Sequence, residues 1–203
     1  MKISHLRCIF TNLNQLENAM TKNIIRTLLA TAALAAVATG AQASDGTINF
    51  EGEVIAQTCK ISVNGTETPA AATVVLPSVA AATLSSTDAL SGLTRFVVGL
   101  KECSGPATTA SAFFEAGPGV DLDRGTLANL TTGEDAAKNV ELALLDPTSG
   151  QPIKVGSNQD SSTKHELSAG AAELPYIVAY RAMSDEVQPG AVTGQVTYSI
   201  DYK

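Results

Sequence analysis

The chain has few of two residue types on which catalytic and metal sites often depend, histidine and cysteine. Its 203 residues include no tryptophan, two histidines and three cysteines. Only His165 follows residue 43, and no G-x-S-x-G or other nucleophile motif accompanies it. Asp121 and Asp123 lack the further ligands of a calcium loop. Since no cluster of convergent aromatic side chains marks a ligand pocket either, the sequence predicts neither an enzyme nor a cofactor or metal.

Basic residues and long apolar runs are also scarce. Thirteen Lys and Arg residues stand against twenty Asp and Glu residues, which gives a formal net charge of −7. A surface of this sign disfavours nucleic acid and anionic membranes as partners. The apolar run at 27–40 has about 14 residues, whereas a transmembrane helix needs about 20.

That apolar run has the setting of a secretory signal peptide. Lys22 and Arg26 precede it, and Ala41-Gln42-Ala43 follows it as a cleavage site of the A-x-A type. We expect residues 1–43 to be removed and translation to start at Met20. The alternative is that residues 1–19 form an unusually long basic region.

Two cysteines, Cys59 and Cys103, remain after this cleavage. An even pair in an exported chain predicts a disulfide. Closing the loop between them would stabilise the fold by roughly 4 kcal/mol on the chain-entropy description. Two free thiols, or half of a metal site, are the alternatives.

Both ends of the remaining chain alternate strictly between two kinds of residue, the period of a strand with one buried face. At residues 44–54 one parity carries Gly46, Ile48, Phe50, Gly52 and Val54. At residues 195–203 one parity carries Val196, Tyr198, Ile200 and Tyr202. The sequence therefore predicts a strand at each end.

Between these ends, short apolar runs recur at roughly ten-residue spacing, separated by Gly, Pro, Asn and Asp turns. Strands are predicted at 54–63, 73–76, 93–103, 111–116, 127–130, 139–146, 152–155, 164–167 and 174–183. Residues 78–92 fit a surface connection, and helix is essentially absent after residue 43. The pattern predicts one all-β sandwich domain.

Several segments together resemble the pilin subunits of chaperone–usher fimbriae, most closely the major shaft subunits of the type 1 group. They are G-T-I-N-F-E-G-E-V-I at 46–55 ahead of Cys59, T-R-F-V-V-G-L-K-E-C at 94–103, V-E-L-A-L-L-D-P-T-S-G at 140–150 and L-P-Y-I-V-A-Y at 174–180. Gly190, fourteenth from the C-terminus, and the penultimate Tyr202 are further hallmarks of that family. The resemblance covers residues 44–203.

The resemblance implies an all-β fold, an incomplete immunoglobulin-like β-sandwich: the six-stranded pilin fold lacking its final strand. It divides the chain into a signal peptide at 1–43, a donor-strand extension at 44–54 and a pilin domain at 55–203. The implied role is a structural subunit of a surface fimbria that supports cell adhesion. Such a subunit passes through the periplasm and polymerises by donor-strand exchange. Its implied partners are neighbouring pilin subunits in a homopolymer, a periplasmic chaperone and an outer-membrane usher, without direct membrane insertion.

The same resemblance assigns residues to two surfaces. The donor strand would use Gly46, Ile48, Phe50 and Gly52, with Gly46 at the family's donor-strand glycine and Ser44 at the outermost pocket. The acceptor groove and chaperone-binding strand would use Gly190, Val196, Tyr198, Ile200 and Tyr202. Three alternatives stay open: residues 44–54 pair within their own subunit, the chain is a minor adaptor or terminator, or it is a monomeric secreted β-sandwich that binds a ligand.

Overall fold

The computed structural model describes residues 48–67 and 71–203. The expected signal peptide and the first donor residues, Ser44 and Gly46, lie outside these ranges. The chain divides into two units after Gly52. Within the described residues, no helix is long and apolar enough to cross a membrane.

The described residues form eleven strands and one short 3₁₀ helix, Ala81–Leu84. The strands are β1 Thr58–Val63, β2 Thr66–Glu67, β3 Leu90–Ser104, β4 Thr109–Phe114, β5 Val120–Asp121, β6 Thr126–Ala128, β7 Val140–Leu145, β8 Pro152–Ile153, β9 His165–Glu166, β10 Ala172–Ala182 and β11 Tyr198–Tyr202.

The strands build two antiparallel sheets. The larger sheet has the order β2-β1-β3-β10-β7-β6-β5, with β8 also paired to β7. The smaller sheet has the order β11-β4-β9. Several neighbouring strands are far apart in sequence, as in β3 with β10 and β4 with β11, which is typical of a sandwich rather than of a simple meander.

Alternate residues of the long strands fill the space between the sheets, because successive side chains of a strand point to opposite faces. From β3 these are Phe96, Val98 and Leu100, and from β10 they are Leu174, Tyr176 and Val178. Phe114 of β4 packs edge-on to Tyr176, with ring centroids 5.0 Å apart. The aromatic contact joins the two sheets at the centre of the core.

The chain departs from the sequence-based assignment in several places, and the described part of the expected N-terminal strand, residues 48–54, forms no strand. The strand expected at 73–76 does not form, and the connection at 78–92 contains the 3₁₀ helix. Two short strands, β2 and β5, occupy segments that were expected to be loop and turn. Residues 73–76 have the composition of a strand but no neighbouring strand to pair with, and pairing decides whether such a segment forms a ladder.

Candidate functional site

The C-terminal strand β11 is hydrogen-bonded along one edge. It pairs with β4 from Tyr198 opposite Phe114 to Tyr202 opposite Ala110. β11 is the outermost strand of its sheet, so no strand of the described ranges lies on its other edge. An edge of this kind presents a row of backbone N–H and C=O groups to an incoming strand.

A row of apolar side chains along this edge is only partly covered. Its members all contact the main core cluster and are all partly exposed: Val196, Tyr198, Ile200 and Tyr202. The intervening Thr197 and Ser199 are exposed. In a complete sandwich a further strand would cover such a row, so its half-buried state indicates an opening over the core.

Residues 71–77 show the same partial cover. Ala72, Val74 and Leu76 contact the same core cluster and are partly exposed, whereas Val75 points into solvent. No backbone hydrogen bond ties residues 71–77 to the other described residues. The core therefore has two rows of half-buried apolar side chains: the β11 row, which is paired on one edge only, and residues 71–77, which are not paired to a described strand. The sequence predicts a strand at 73–76, and the absence of a pairing partner there was not predictable from it.

The hydroxyl of Tyr198 is buried and has no hydrogen-bond partner among the described residues. Burial raises the pKa of Tyr198 and of Tyr202, so both hydroxyls keep their protons at neutral pH. A buried hydroxyl without a partner costs about 1–3 kcal/mol. The apolar row at β11 thus also holds an unsatisfied polar group.

Gly190 lies ahead of this row, where the chain passes another backbone segment at close range. The N–H of Ala191 donates to the carbonyl of Asp135 at 2.7 Å, and the N–H of Ala137 donates to the carbonyl of Ala191 at 3.0 Å. A Cβ atom at Gly190 would lie 2.7 Å from the Asp135 carbonyl oxygen. Glycine permits this approach, which fixes the course of the chain leading to β11.

The described part of the predicted donor strand carries exposed apolar side chains. Ile48 is 78% exposed and Phe50 is 90% exposed. Val54, on the same parity, is fully exposed. A Cβ atom at Gly52 would meet nothing within 4 Å. Val54 belongs to the same alternation in the sequence but was not among the expected donor residues. Its exposure is the reason to consider it together with them.

A disulfide joins Cys59 of β1 to Cys103 of β3, as the sequence predicts. The two Cα atoms lie 4.1 Å apart. The exposed Lys60 and Glu102 form an ion pair beside it, with Nζ and Oε2 at 2.6 Å. The bond attaches the first strand of the domain to the centre of the large sheet.

His165, considered as a catalytic residue, and Asp121, considered as a calcium ligand, have structural roles. His165 lies in β9 and is partly buried. Burial lowers its pKa, while nearby Asp146 acts in the opposite direction. The Asp121 carboxylate accepts hydrogen bonds from the N–H groups of Asp123 and Arg124 at 3.0 and 3.1 Å. Among the described residues, no group of three His, Cys, Asp or Glu could hold a metal ion.

The two sheets and the open β11 edge define a pilin-like class of immunoglobulin-like sandwich. The solved structure of the P pilus rod subunit PapA has a similar fold, with a TM-score of 0.52 and 16% identity. The match covers 71% of this chain and 99% of that one.

Sequence comparison makes the assignment specific. Residues 48–203 match the family described as "Fimbrial protein". The major fimbrial subunit SMF-1 of Stenotrophomonas maltophilia strain K279a is 37% identical over 174 residues, which are 83% of this chain and 99% of the relative. The type-1 fimbrial protein A chain of Escherichia coli K12 is 28% identical over 177 residues, which are 87% and 92% of the two chains.

The chain therefore belongs to the fimbrial protein family. It is a structural pilus subunit rather than an enzyme, and a component of fimbriae at the cell surface that assembles with other pilins. The fold class, the family and the structural role expected from the sequence are confirmed.

Proposed function

We propose that this subunit forms a homopolymer by donor-strand exchange, as the main building block of a fimbrial shaft. In each step, residues 44–54 of one copy enter the opening beside β11 of the next copy. The observation that carries the proposal is the unpaired β11 edge with its half-buried row at Val196, Tyr198, Ile200 and Tyr202. Main-chain hydrogen bonds along the edge would supply affinity, and alternate side chains would fix the register.

The exposed side chains of the extension support the donor role. Ile48 and Phe50 point into solvent, and burying each would contribute about 1.5–3 kcal/mol. Gly46 and Gly52 would allow the backbone to approach the groove closely, since they lack a Cβ. The fully exposed Val54 would extend the same row by one position.

An open β-edge above an apolar core is also an aggregation hazard before assembly. This is the reason to include two further partners in the proposal. A periplasmic chaperone would lend a strand to the β11 edge until an outer-membrane usher exchanges it for the extension of the next subunit. Gly190, which fixes the approach to β11, would position the strand for both partners.

Deletion of residues 44–51 tests this function directly. The deleted chain and the wild type are each co-expressed with the cognate chaperone, and complexes and polymers are separated by size. We expect the deletion to retain the chaperone complex, because β11 is intact, but to lose self-polymerisation. A chain carrying Asn49→Ala, on the opposite parity, serves as a matched control and should still polymerise.

The alternatives predict different results. If residues 44–54 paired within their own subunit, the deletion would expose that subunit's own core and destabilise the chaperone-free monomer. A wild-type chain that stays monomeric at high concentration and forms no polymer, with or without the chaperone, would contradict donor-strand exchange altogether. A minor adaptor or terminator would form the chaperone complex but would not build long homopolymers from purified wild-type protein.

A further inference from the structure

The two edges of β4, the central strand of the small sheet, are covered in different ways. One edge pairs with β11 along five residues, and the ladder continues where the N–H of Glu115 donates to the carbonyl of Thr197 at 2.9 Å. On the other edge, β9 pairs only with Thr109 and Ala110. No described strand covers this second edge from Ala112 to Phe114.

The side chain of Gln159 takes the place of a strand at Phe114. Its Oε1 accepts the Phe114 N–H at 3.0 Å, and its Nε2 donates to the Phe114 carbonyl at 2.8 Å. A residue of an antiparallel neighbour would make the same pair of bonds. Gln159 is 6% exposed, so water has little access to this pair.

Tyr176 covers the position two residues earlier. Its hydroxyl oxygen accepts the Ala112 N–H at 2.7 Å. The side chain comes from β10 in the opposite sheet and is 1% exposed. Burial raises the pKa of Tyr176 to about 12, so the hydroxyl stays neutral across the physiological range.

Gln159 also holds its own loop against β4. The N–H of Ser162 donates to the Gln159 carbonyl at 2.9 Å, and the N–H of Gly156 donates to the Phe114 carbonyl at 3.0 Å. Residues 156–162 therefore lie over the second edge of β4 although they contain no strand. The amide of Gln159 is the side-chain link between this loop and the sheet.

We infer that Gln159 and Tyr176 close the part of the second edge of β4 that the short β9 leaves uncovered, so that a strand can add along β4 only on its β11 side. The excluded occupant is the 44–54 segment of a second copy of this chain. A three-stranded sheet open on both sides would accept two strands, and the subunit could then branch or associate laterally. Here an incoming strand at β4 would have to displace bonds that are already made. The inference rests on the proposed donor-strand function. It adds the residues that restrict the incoming strand to one edge of β4.

Replacing Gln159 by leucine removes both hydrogen bonds that the side-chain amide makes with Phe114, while keeping a side chain of similar length. The chaperone complex of each variant is mixed with a synthetic peptide of residues 44–54, and native mass spectrometry counts the peptides bound to each subunit. We expect one peptide on the wild type and two on Gln159→Leu. Hydrogen exchange at the Phe114 amide should accelerate about tenfold or more, since its hydrogen bond is lost.

Gln151→Leu is the matched control, because Gln151 is exposed and lies in the turn between β7 and β8. It should bind one peptide and leave the exchange rate of Phe114 unchanged. Electron microscopy of assembled fibres adds a second readout: Gln159→Leu should give branched or laterally joined fibres, and the control should give single ones.

Two results would overturn the inference. One is a folded Gln159→Leu subunit whose Phe114 amide exchanges faster but which still binds one peptide and forms single fibres. The other concerns Tyr176→Phe, which removes a single hydroxyl and is used if Gln159→Leu does not accumulate. The inference requires this variant to show faster exchange at Ala112 together with a second bound peptide or lateral association. A single peptide there rejects the inference. Failure of the proposed function itself looks different, because the wild type would then bind no peptide at all.

Discussion

Replacing Asp146 by asparagine should destabilise the domain more than any surface substitution. The carboxylate is 3% exposed and lies at the end of β7. Its Oδ2 accepts the N–H of Thr163 at 2.6 Å, and its Oδ1 accepts the N–H groups of Thr148 and Ser149 at 2.8 and 3.3 Å. One side chain thus holds the β7–β8 turn to the segment that precedes β9.

The magnitude follows from these three donors. An asparagine offers one acceptor oxygen, so either the Thr163 N–H or the Thr148 and Ser149 N–H groups would face an amide NH₂. Hydrogen bonds to a charged group contribute about 1.5–3 kcal/mol, and a buried donor without a partner costs about 1–3 kcal/mol. We expect Asp146→Asn to lower the free energy of unfolding by about 2–4 kcal/mol, measured by guanidinium denaturation at pH 7.

The pH dependence gives an independent check. Burial alone would raise the pKa of Asp146, but the hydrogen bonds from Thr163, Thr148 and Ser149 together outweigh it and lower the pKa. A carboxylate with a lowered pKa stabilises the fold above its unfolded value of about 3.9. That contribution is lost as the pH falls through the folded pKa. Wild type should therefore lose more stability below about pH 4 than Asp146→Asn does.

A matched control is available in Asp185, which is exposed. Asp185→Asn should change the free energy of unfolding by less than about 0.5 kcal/mol. The reasoning is refuted if Asp146→Asn unfolds at the same denaturant concentration as wild type at pH 7, or if it destabilises no more than the control.

Three further predictions concern the open edge and its donor. Phe50→Ala should leave the isolated subunit as stable as wild type, since Phe50 is 90% exposed, but weaken the assembled fibre by about 3–5 kcal/mol per joint in denaturant; equal fibre stability would contradict a buried donor side chain. Tyr198→Phe should stabilise the isolated subunit by about 1 kcal/mol, because it removes a buried hydroxyl without a partner; a measured loss would show that the hydroxyl is satisfied. Gly190→Ala should destabilise the subunit by about 1–3 kcal/mol through overlap with the Asp135–Ala137 backbone, whereas Gly117→Ala, with open space around it, should be nearly neutral in the same thermal unfolding assay.

Alternation made much of the fold predictable. Strands with one buried face have a period of two, and this period identified β3, β7, β10 and β11 within a few residues of their observed bounds. The same rule failed at residues 73–76, where the composition is that of a strand but the pairing partner is missing. Local sequence reports which face a segment can bury, and it carries no information on whether a neighbour is present.

The polar residues that organise the loops were not predictable in this way. Gln159 bonds to Phe114, which lies 45 residues earlier, and Asp146 bonds to Thr163, 17 residues later. Gln159 belongs to no periodic pattern, and Asp146 stands at the end of the predicted strand 139–146, where the alternation does not mark it as a hydrogen-bond acceptor for a distant segment. Their roles arise only when the fold brings distant backbone groups to them. The parity of Ile48 and Phe50, by contrast, is visible in the sequence, and their role as donor residues stays a prediction.

The partial burial of the β11 row bears on where the energy of assembly resides. Val196, Tyr198 and Ile200 already contact the core in the free subunit, so part of their burial energy is realised before any strand arrives. Ile48 and Phe50 are 78% and 90% exposed, and each would gain about 1.5–3 kcal/mol on entering a groove. On assembly, the side chains of the extension would therefore bury more additional apolar surface than those of the β11 row. It follows that substitutions in the extension should affect assembly with little effect on folding, whereas substitutions in the row should affect both.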